Sequence, residues 1–165
     1  MTYLYYGIGF LALLVVSILT IGALLPIKHT ASRSIELNAP PAKIWTFITQ
    51  YADMPKWREE LLRVEMKLDA NGNEVWQEFK SANESLDFIT IEQIEGQKLV
   101  RKIVGDKLDF GGKWTFELVA NGNRTSLTIT ENGEVYNILF RFVSKFIMGH
   151  YASMDTYIKQ LEAAL

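Results

Sequence analysis

Apolar residues recur at steps of three or four along the C-terminal end of the chain: Phe140, Val143, Ile147, Tyr151, Met154, Ile158, Leu161 and Leu165. That spacing places them on one stripe of an α-helix and predicts a single long helix from Asn137 to Leu165. Asn137 suits the cap, because its short side-chain acceptor satisfies a free backbone N–H, and Gly149 is the weak helix former in the middle. Arg141, Ser144, Lys145, Lys159 and Glu162 fall off the stripe and form its wet side. Such a stripe needs a broad apolar partner. Ile147, Tyr151 and Met154 are expected where a sheet bent beneath the helix leaves most room, and Ile158, Leu161 and Leu165 where packing is tight.

Between Leu62 and Glu131 the period falls to two, with short runs separated by Gly and Asn. The expected strands are 62–68, 74–80, 86–95, 98–104, 113–120 and 125–131. Trp114, Phe116 and Leu118 alternate with Thr115 and Glu117, as do Leu127 and Ile129 with Thr128 and Thr130, so this hairpin has one dry face. Asn71-Gly72 and Asn121-Gly122, each in the string Ala-Asn-Gly-Asn, have the chemistry of tight hairpin turns that need positive φ. Upstream, Ser32 to Leu37 reads as a strand, Asn38-Ala39-Pro40-Pro41 stops it and opens a short helix carrying Ile44, Trp45, Phe47 and Ile48, and Asp53-Met54-Pro55 opens a second turn carrying Trp57. Strand, two short helices, six strands and a long helix make an α+β unit: consecutive hairpins form an antiparallel sheet, and its dry face needs the helix as cover.

Tyr3 to Ile27 carries no charged side chain. That length crosses a bilayer core of about 30 Å at about 1.5 Å per residue. A signal peptide would show a Lys or Arg ahead of a shorter apolar core, and neither is present, so a retained transmembrane anchor is the expectation for 1–29, with the globular domain at 30–165. Lys28, Arg33 and Lys43 follow the span and no cation precedes it, which predicts a single-pass membrane protein whose domain faces the cytoplasm.

The stretch Ile35-Glu-Leu-Asn-Ala-Pro-Pro-Ala-Lys-Ile-Trp45, with Phe47 and Asp53-Met-Pro-Lys-Trp57, resembles the opening of the polyketide cyclase/dehydrase and lipid-transport proteins, the START-like, Bet v 1-like (SRPBCC) superfamily. The resemblance extends over 30–165 and implies a helix-grip fold, an antiparallel sheet curved around a long C-terminal helix. It also implies a cavity between the two. Its motifs are structural and leave activity open, since the superfamily includes lipid carriers, receptors and ring cyclases. The apolar N-terminal segment departs from the usual soluble member and favours work at a membrane surface.

Composition removes several classes of function. A formal net charge of −2 offers no concentrated basic face for nucleic acid. The absence of cysteine excludes disulfides, thiolate metal sites and a Cys nucleophile. His29 and His150 are far apart in sequence, so no metal ligand set and no cofactor is expected. Asp69-Ala-Asn71-Gly-Asn73 lacks the spacing of a calcium loop and reads as a turn. Glu59 and Glu60 read as solvated charge. Arg101 alternates with Leu99 and Ile103, and its simplest reading is an outward charge on an edge. The expected ligand-binding set is aromatic and aliphatic: Trp76, Phe79, Phe88, Trp114, Phe116, Leu127, Ile129, Ile147, His150, Tyr151 and Met154. These residues predict a non-enzymatic domain for a lipid or other small apolar molecule. A cyclase or dehydratase using His150, Tyr151 or Arg101, and an interaction module with a filled core, are the alternatives.

Overall fold

The computed structural model describes residues 2–69 and 72–165, with the side chain of Thr2 left aside. Ala70 and Asn71 of the first Asn-Gly turn lie outside the described residues. Helix α1 spans Thr2–Leu24 and leads into β1 (Lys28–Leu37). Helix α2 (Pro41–Thr49) and a 3₁₀ turn (Tyr51–Lys56) follow, then β2 (Arg63–Leu68), β3 (Glu74–Phe79), β4 (Ser85–Ile94), β5 (Lys98–Val104), β6 (Phe110–Asn121) and β7 (Arg124–Val135). The chain closes with α3 (Ile138–Val143), a π-helical turn (Ser144–Met148) and α4 (Ala152–Ala164).

The seven strands form one antiparallel sheet in the order β1-β7-β6-β5-β4-β3-β2, with α4 across one face in a helix-grip arrangement. The core draws on every layer: Leu37 from β1, Ile44 and Ile48 from α2, Phe116, Leu127 and Ile129 from β6 and β7, and Met154 and Leu161 from α4 are all fully buried. Thr125 fastens the α2 entry to the sheet, its hydroxyl donating to the Ala39 carbonyl at 2.7 Å in a fully buried position. Pro41 in the first turn of α2 supplies a preset φ and lacks only an N–H that would have no partner there. Gly122, at φ 61°, sits in the β6–β7 turn, as the Asn-Gly pattern requires.

The expected uninterrupted C-terminal helix is corrected. The apolar stripe is carried by two helices separated by the π-helical turn and by Gly149, whose φ of 75° and ψ of 160° are open essentially to glycine alone. Asn137 does cap α3, accepting from the Phe140 N–H at 2.9 Å. The break changes what the stripe touches. Met154, Tyr157, Ile158 and Leu161 lie against the sheet, whereas Ile147 is 72% exposed and Tyr151 41% exposed. Strands β1, β6 and β7 are also longer than their alternation predicts, because Lys28, His29 and the glycines at 111, 112 and 133 interrupt the apolar pattern without interrupting the ladder.

Helix α1 is long and apolar enough to cross a membrane, a test that a retained anchor and a signal sequence both meet. Its Ser17 and Thr20 hydroxyls donate to the carbonyls of Leu13 and Val16, each at 2.8 Å, so these polar groups are satisfied within the helix. The C-terminal end of α1 rests on α3. Gly22 is buried there, where a Cβ would collide with the Ile138 carbonyl, and Arg141 Nη1 donates to the Leu25 carbonyl at 3.0 Å.

Candidate functional site

Side chains of a strand alternate in direction, and the ladder places Glu131, Trp114, Arg101 and Thr90 side by side on neighbouring strands. Trp114 meets the Tyr157 ring of α4 edge-on at 5.7 Å, so this row faces the helix. Arg101 is therefore an interior residue, only 5% exposed, and the expectation of an outward edge charge is corrected. Glu78 reaches the same interior from β3, two residues after the buried Trp76. Arg58, held just past the 3₁₀ turn by its N–H bond to the Met54 carbonyl at 2.8 Å, completes the group.

These residues form a buried polar cluster beneath α4. Arg58 Nη1 donates to Glu78 Oε2 at 2.8 Å, and its Nη2 pairs with Glu60 Oε1 at 2.7 Å. Glu60 is thus an ion-pair partner in place of the expected free surface charge. Burial, the largest single influence, would raise its pKa, but the Arg58 guanidinium together with hydrogen bonds from the Glu60 backbone and Gln160 lowers it below its ordinary value. Arg101 is served less well: its Nη1 stands 3.8 Å from Glu78 Oε1, beyond hydrogen-bond reach, and its Nε has no hydrogen-bond partner. The guanidinium lies over the Phe116 ring at 4.7 Å and the Tyr157 ring at 5.7 Å. Tyr157 is 2% exposed, and its hydroxyl also lacks a partner. Burial raises the pKa of that phenol against the opposing pull of Arg101 and Arg58, so it stays a protonated donor. Arg101 Nε and the Tyr157 hydroxyl are thus buried without acceptors, as is Trp76 Nε1, while Glu78 Oε1 is a buried acceptor without a donor and Arg101 Nη1 makes only a long contact to Met54 Sδ at 3.9 Å. Native interiors seldom leave such groups unanswered.

A second cluster sits at the end of the same face. His29 Nε2 is 3.0 Å from Glu131 Oε1, and Trp114 Nε1 donates to Glu131 Oε2 at 2.9 Å. His150, in the break before α4, stacks on His29 with ring centroids 3.8 Å apart. The two histidines, distant in sequence, are neighbours in space. Among the described residues no group of three or more His, Cys, Asp or Glu side chains is arranged to hold a metal ion.

The expected ligand-binding residues divide by position. Trp76, Phe116, Leu127, Ile129 and Met154 are buried in the interior, with Trp114 partly buried beside them. Phe88 stacks on Trp76 at 5.9 Å, and Trp76 stacks on Tyr51 at 3.9 Å. Phe79 is one residue out of phase with Glu78 and lies on the opposite face, under the Arg63 guanidinium at 3.6 Å. Ile147 and Tyr151 are outside the interior, Tyr151 beneath the Arg33 guanidinium at 3.8 Å. His150 stands at the rim. Glu78, Arg58 and Tyr157 were missed, although period two from Trp76 points to Glu78, and Tyr157 falls three residues after Met154 and four before Leu161.

A concavity of about 910 Å³ lies away from α4. It is formed by the start of β1, the end of β5 and the loop after it, the start of β6 and the end of β7, and Lys28, Lys102, Lys107 and Lys113 line it. Lys102, Lys113 and Asn132 alternate with Arg101, Trp114 and Glu131, so their side chains leave the sheet on the face away from the helix.

Comparison with known proteins supports the same architecture. No curated protein matches the chain. Among solved structures, a START superfamily protein from Mycobacterium smegmatis superposes with a TM-score of 0.62 at 15% identity, covering 82% of this chain and 96% of its own. The Zhui aromatase/cyclase from Streptomyces sp. R1128 gives 0.66 at 9% identity, covering 83% and 93%. Norcoclaurine synthase from Thalictrum flavum, in complex with dopamine and hydroxybenzaldehyde, gives 0.62 at 12% identity, covering 87% and 90%. At such identities the likeness is one of fold. The family described as polyketide cyclase / dehydrase and lipid transport matches residues 28–156, from the first strand into α4, and the chain belongs to that family.

Proposed function

We propose that the chain is a membrane-anchored, non-enzymatic domain that binds a small, largely apolar molecule between the sheet and α4. The ligand carries an acceptor oxygen, a carboxylate or carbonyl, that Arg101 and Tyr157 receive. The observation that carries this reading is that Arg101 Nε and the Tyr157 hydroxyl, both beneath α4, are buried donors without acceptors. Aromatic and aliphatic walls take the apolar body, and the two donors fix its orientation, the usual division of labour in a small-molecule site. Trp114, Phe116, Tyr157 and Trp57 occupy this space, their rings meeting at 5.2 to 6.0 Å. Entry therefore requires these rings to part, and α4 begins just past the Gly149 break. Residues 1–29 act as the retained anchor, with 30–165 as the binding domain on the cytoplasmic side.

Native mass spectrometry of the detergent-extracted full chain tests the reading. A stoichiometric adduct whose fragments show an acyl or aromatic acid, ketone or ester is expected. A bare mass under conditions that keep the chain folded contradicts it.

A second reading follows from Glu131, His29 and His150. A carboxylate beside one imidazole, with a second imidazole stacked on it, is the makings of an acid–base site at the rim of the interior. Turnover of an aromatic polyketide that disappears in His150→Gln favours this cyclase or dehydratase reading.

A further inference from the structure

We infer that the end of the domain from which α1 departs is a docking face for an anionic bilayer surface. In this arrangement α3 and the π-helical turn lie in the membrane interface, and the lysines of the neighbouring groove meet lipid headgroups. The inference rests on the reading of α1 as a retained span.

Position is the first argument. The α3 segment is tied to the last turns of α1 by Gly22 against Ile138 and by the Arg141 bond to the Leu25 carbonyl. The Val135 N–H donates to the Ile27 carbonyl at 2.8 Å, so β7 is fastened to the same point. At about 1.5 Å per residue, a segment bound at Gly22 and Leu25 lies within a few ångström of the end of the span.

Chemistry is the second. No residue of α3 is buried, and Leu139, Phe146, Ile147 and Met148 present their side chains to solvent. An uncovered apolar run of this kind beside a span has the character of an interfacial helix, and Lys145 next to Phe146 has the length to keep its charge at headgroup level. In a chain of net charge −2, four lysines gather around the groove, with Glu134 as the one carboxylate in its lining; Asp106 and Asp109 stand nearby in the β5–β6 loop. Lys28 pairs with Glu134 at 3.6 Å, and among the described residues Lys102, Lys107 and Lys113 have no ion-pair partner. Each cation close to an anionic surface adds to the attraction.

The cysteine-free sequence allows a direct test. Full-length chain carrying Ile147→Cys, labelled with the environment-sensitive fluorophore NBD, is placed in nanodiscs of POPC or of POPC with POPG. Glu95→Cys in the exposed β4–β5 turn serves as the control. Expected are a blue-shifted emission at position 147, loss of iodide quenching and gain of quenching by doxyl-labelled lipid. These effects are stronger with POPG and are reduced by the pair Lys102→Glu and Lys113→Glu. Iodide quenching at 147 equal to that at 95 overturns docking while leaving the anchor intact. Equal protection in the two lipids overturns the role of the lysines, and protection in detergent that rises with protein concentration assigns the face to a second copy instead. Release of the chain by alkaline carbonate overturns the anchor itself, and the inference with it.

Discussion

His29, near the start of β1, and His150, in the break before α4, stack with ring centroids 3.8 Å apart and planes 22° from parallel. The contact joins the edge strand to the segment between α3 and α4. It also makes that junction sensitive to pH. Burial first, then the proximity of His29 and Lys145, lowers the His150 pKa from its ordinary value near 6.5, against the opposing effect of Glu131. A base whose folded pKa is depressed binds more protons when unfolded, so its contribution is complete above about pH 6.5 and is lost as pH falls towards the folded value. Thermal unfolding followed between neutral and mildly acidic pH is expected to show a falling Tm that is flatter in His150→Gln. An unchanged slope in the variant contradicts the assignment.

Gly149 sets the geometry of that junction. Gly149→Ala places a Cβ where φ is 75° and ψ is 160°, and is expected to cost about 1 to 3 kcal/mol by urea denaturation. Gly7→Ala in α1, where an added Cβ meets open space, should leave the domain's stability unaltered.

Met154 and Leu161 are both fully buried in one core cluster. Leu161→Ala is expected to cost about 2 to 5 kcal/mol by emptying a packed site. Met154→Trp is expected to cost about 1 to 3 kcal/mol by overfilling one. A neutral Met154→Trp in the ligand-free chain would reveal spare volume at that position.

The strand ladder and α2 were legible in the sequence because their periods are unbroken by chemistry: Trp114, Phe116, Leu118, Leu127 and Ile129 alternate, and the fold uses them as that alternation implies. The site was less legible. Arg101 and Glu78 occupy inward positions, but each looks outward by residue type, since isolated charges are seldom buried and only the third dimension supplies their partners. The C-terminal stripe misled for the opposite reason. Ile147 and Tyr151 have the spacing of a buried face, and the π-helical turn and the Gly149 torsion turn them away from the sheet. His29 and His150 were paired by β1 lying beside β7 and by that same break, neither of which local periodicity encodes.

The central claim, that Arg101 and Tyr157 receive the oxygen of an apolar ligand, is tested most directly by fluorescence titration of the full-length chain with cis-parinaric acid, comparing Tyr157→Phe with the parent. Tyr157→Phe removes a buried hydroxyl that has no partner, so stability should hold or rise by about 1 to 3 kcal/mol. Binding to the parent is expected to saturate at one probe per chain. The variant should bind roughly tenfold more weakly, about 1.4 kcal/mol, while being at least as stable as the parent. No saturable binding by the parent, or equal affinity in the folded variant, contradicts the account.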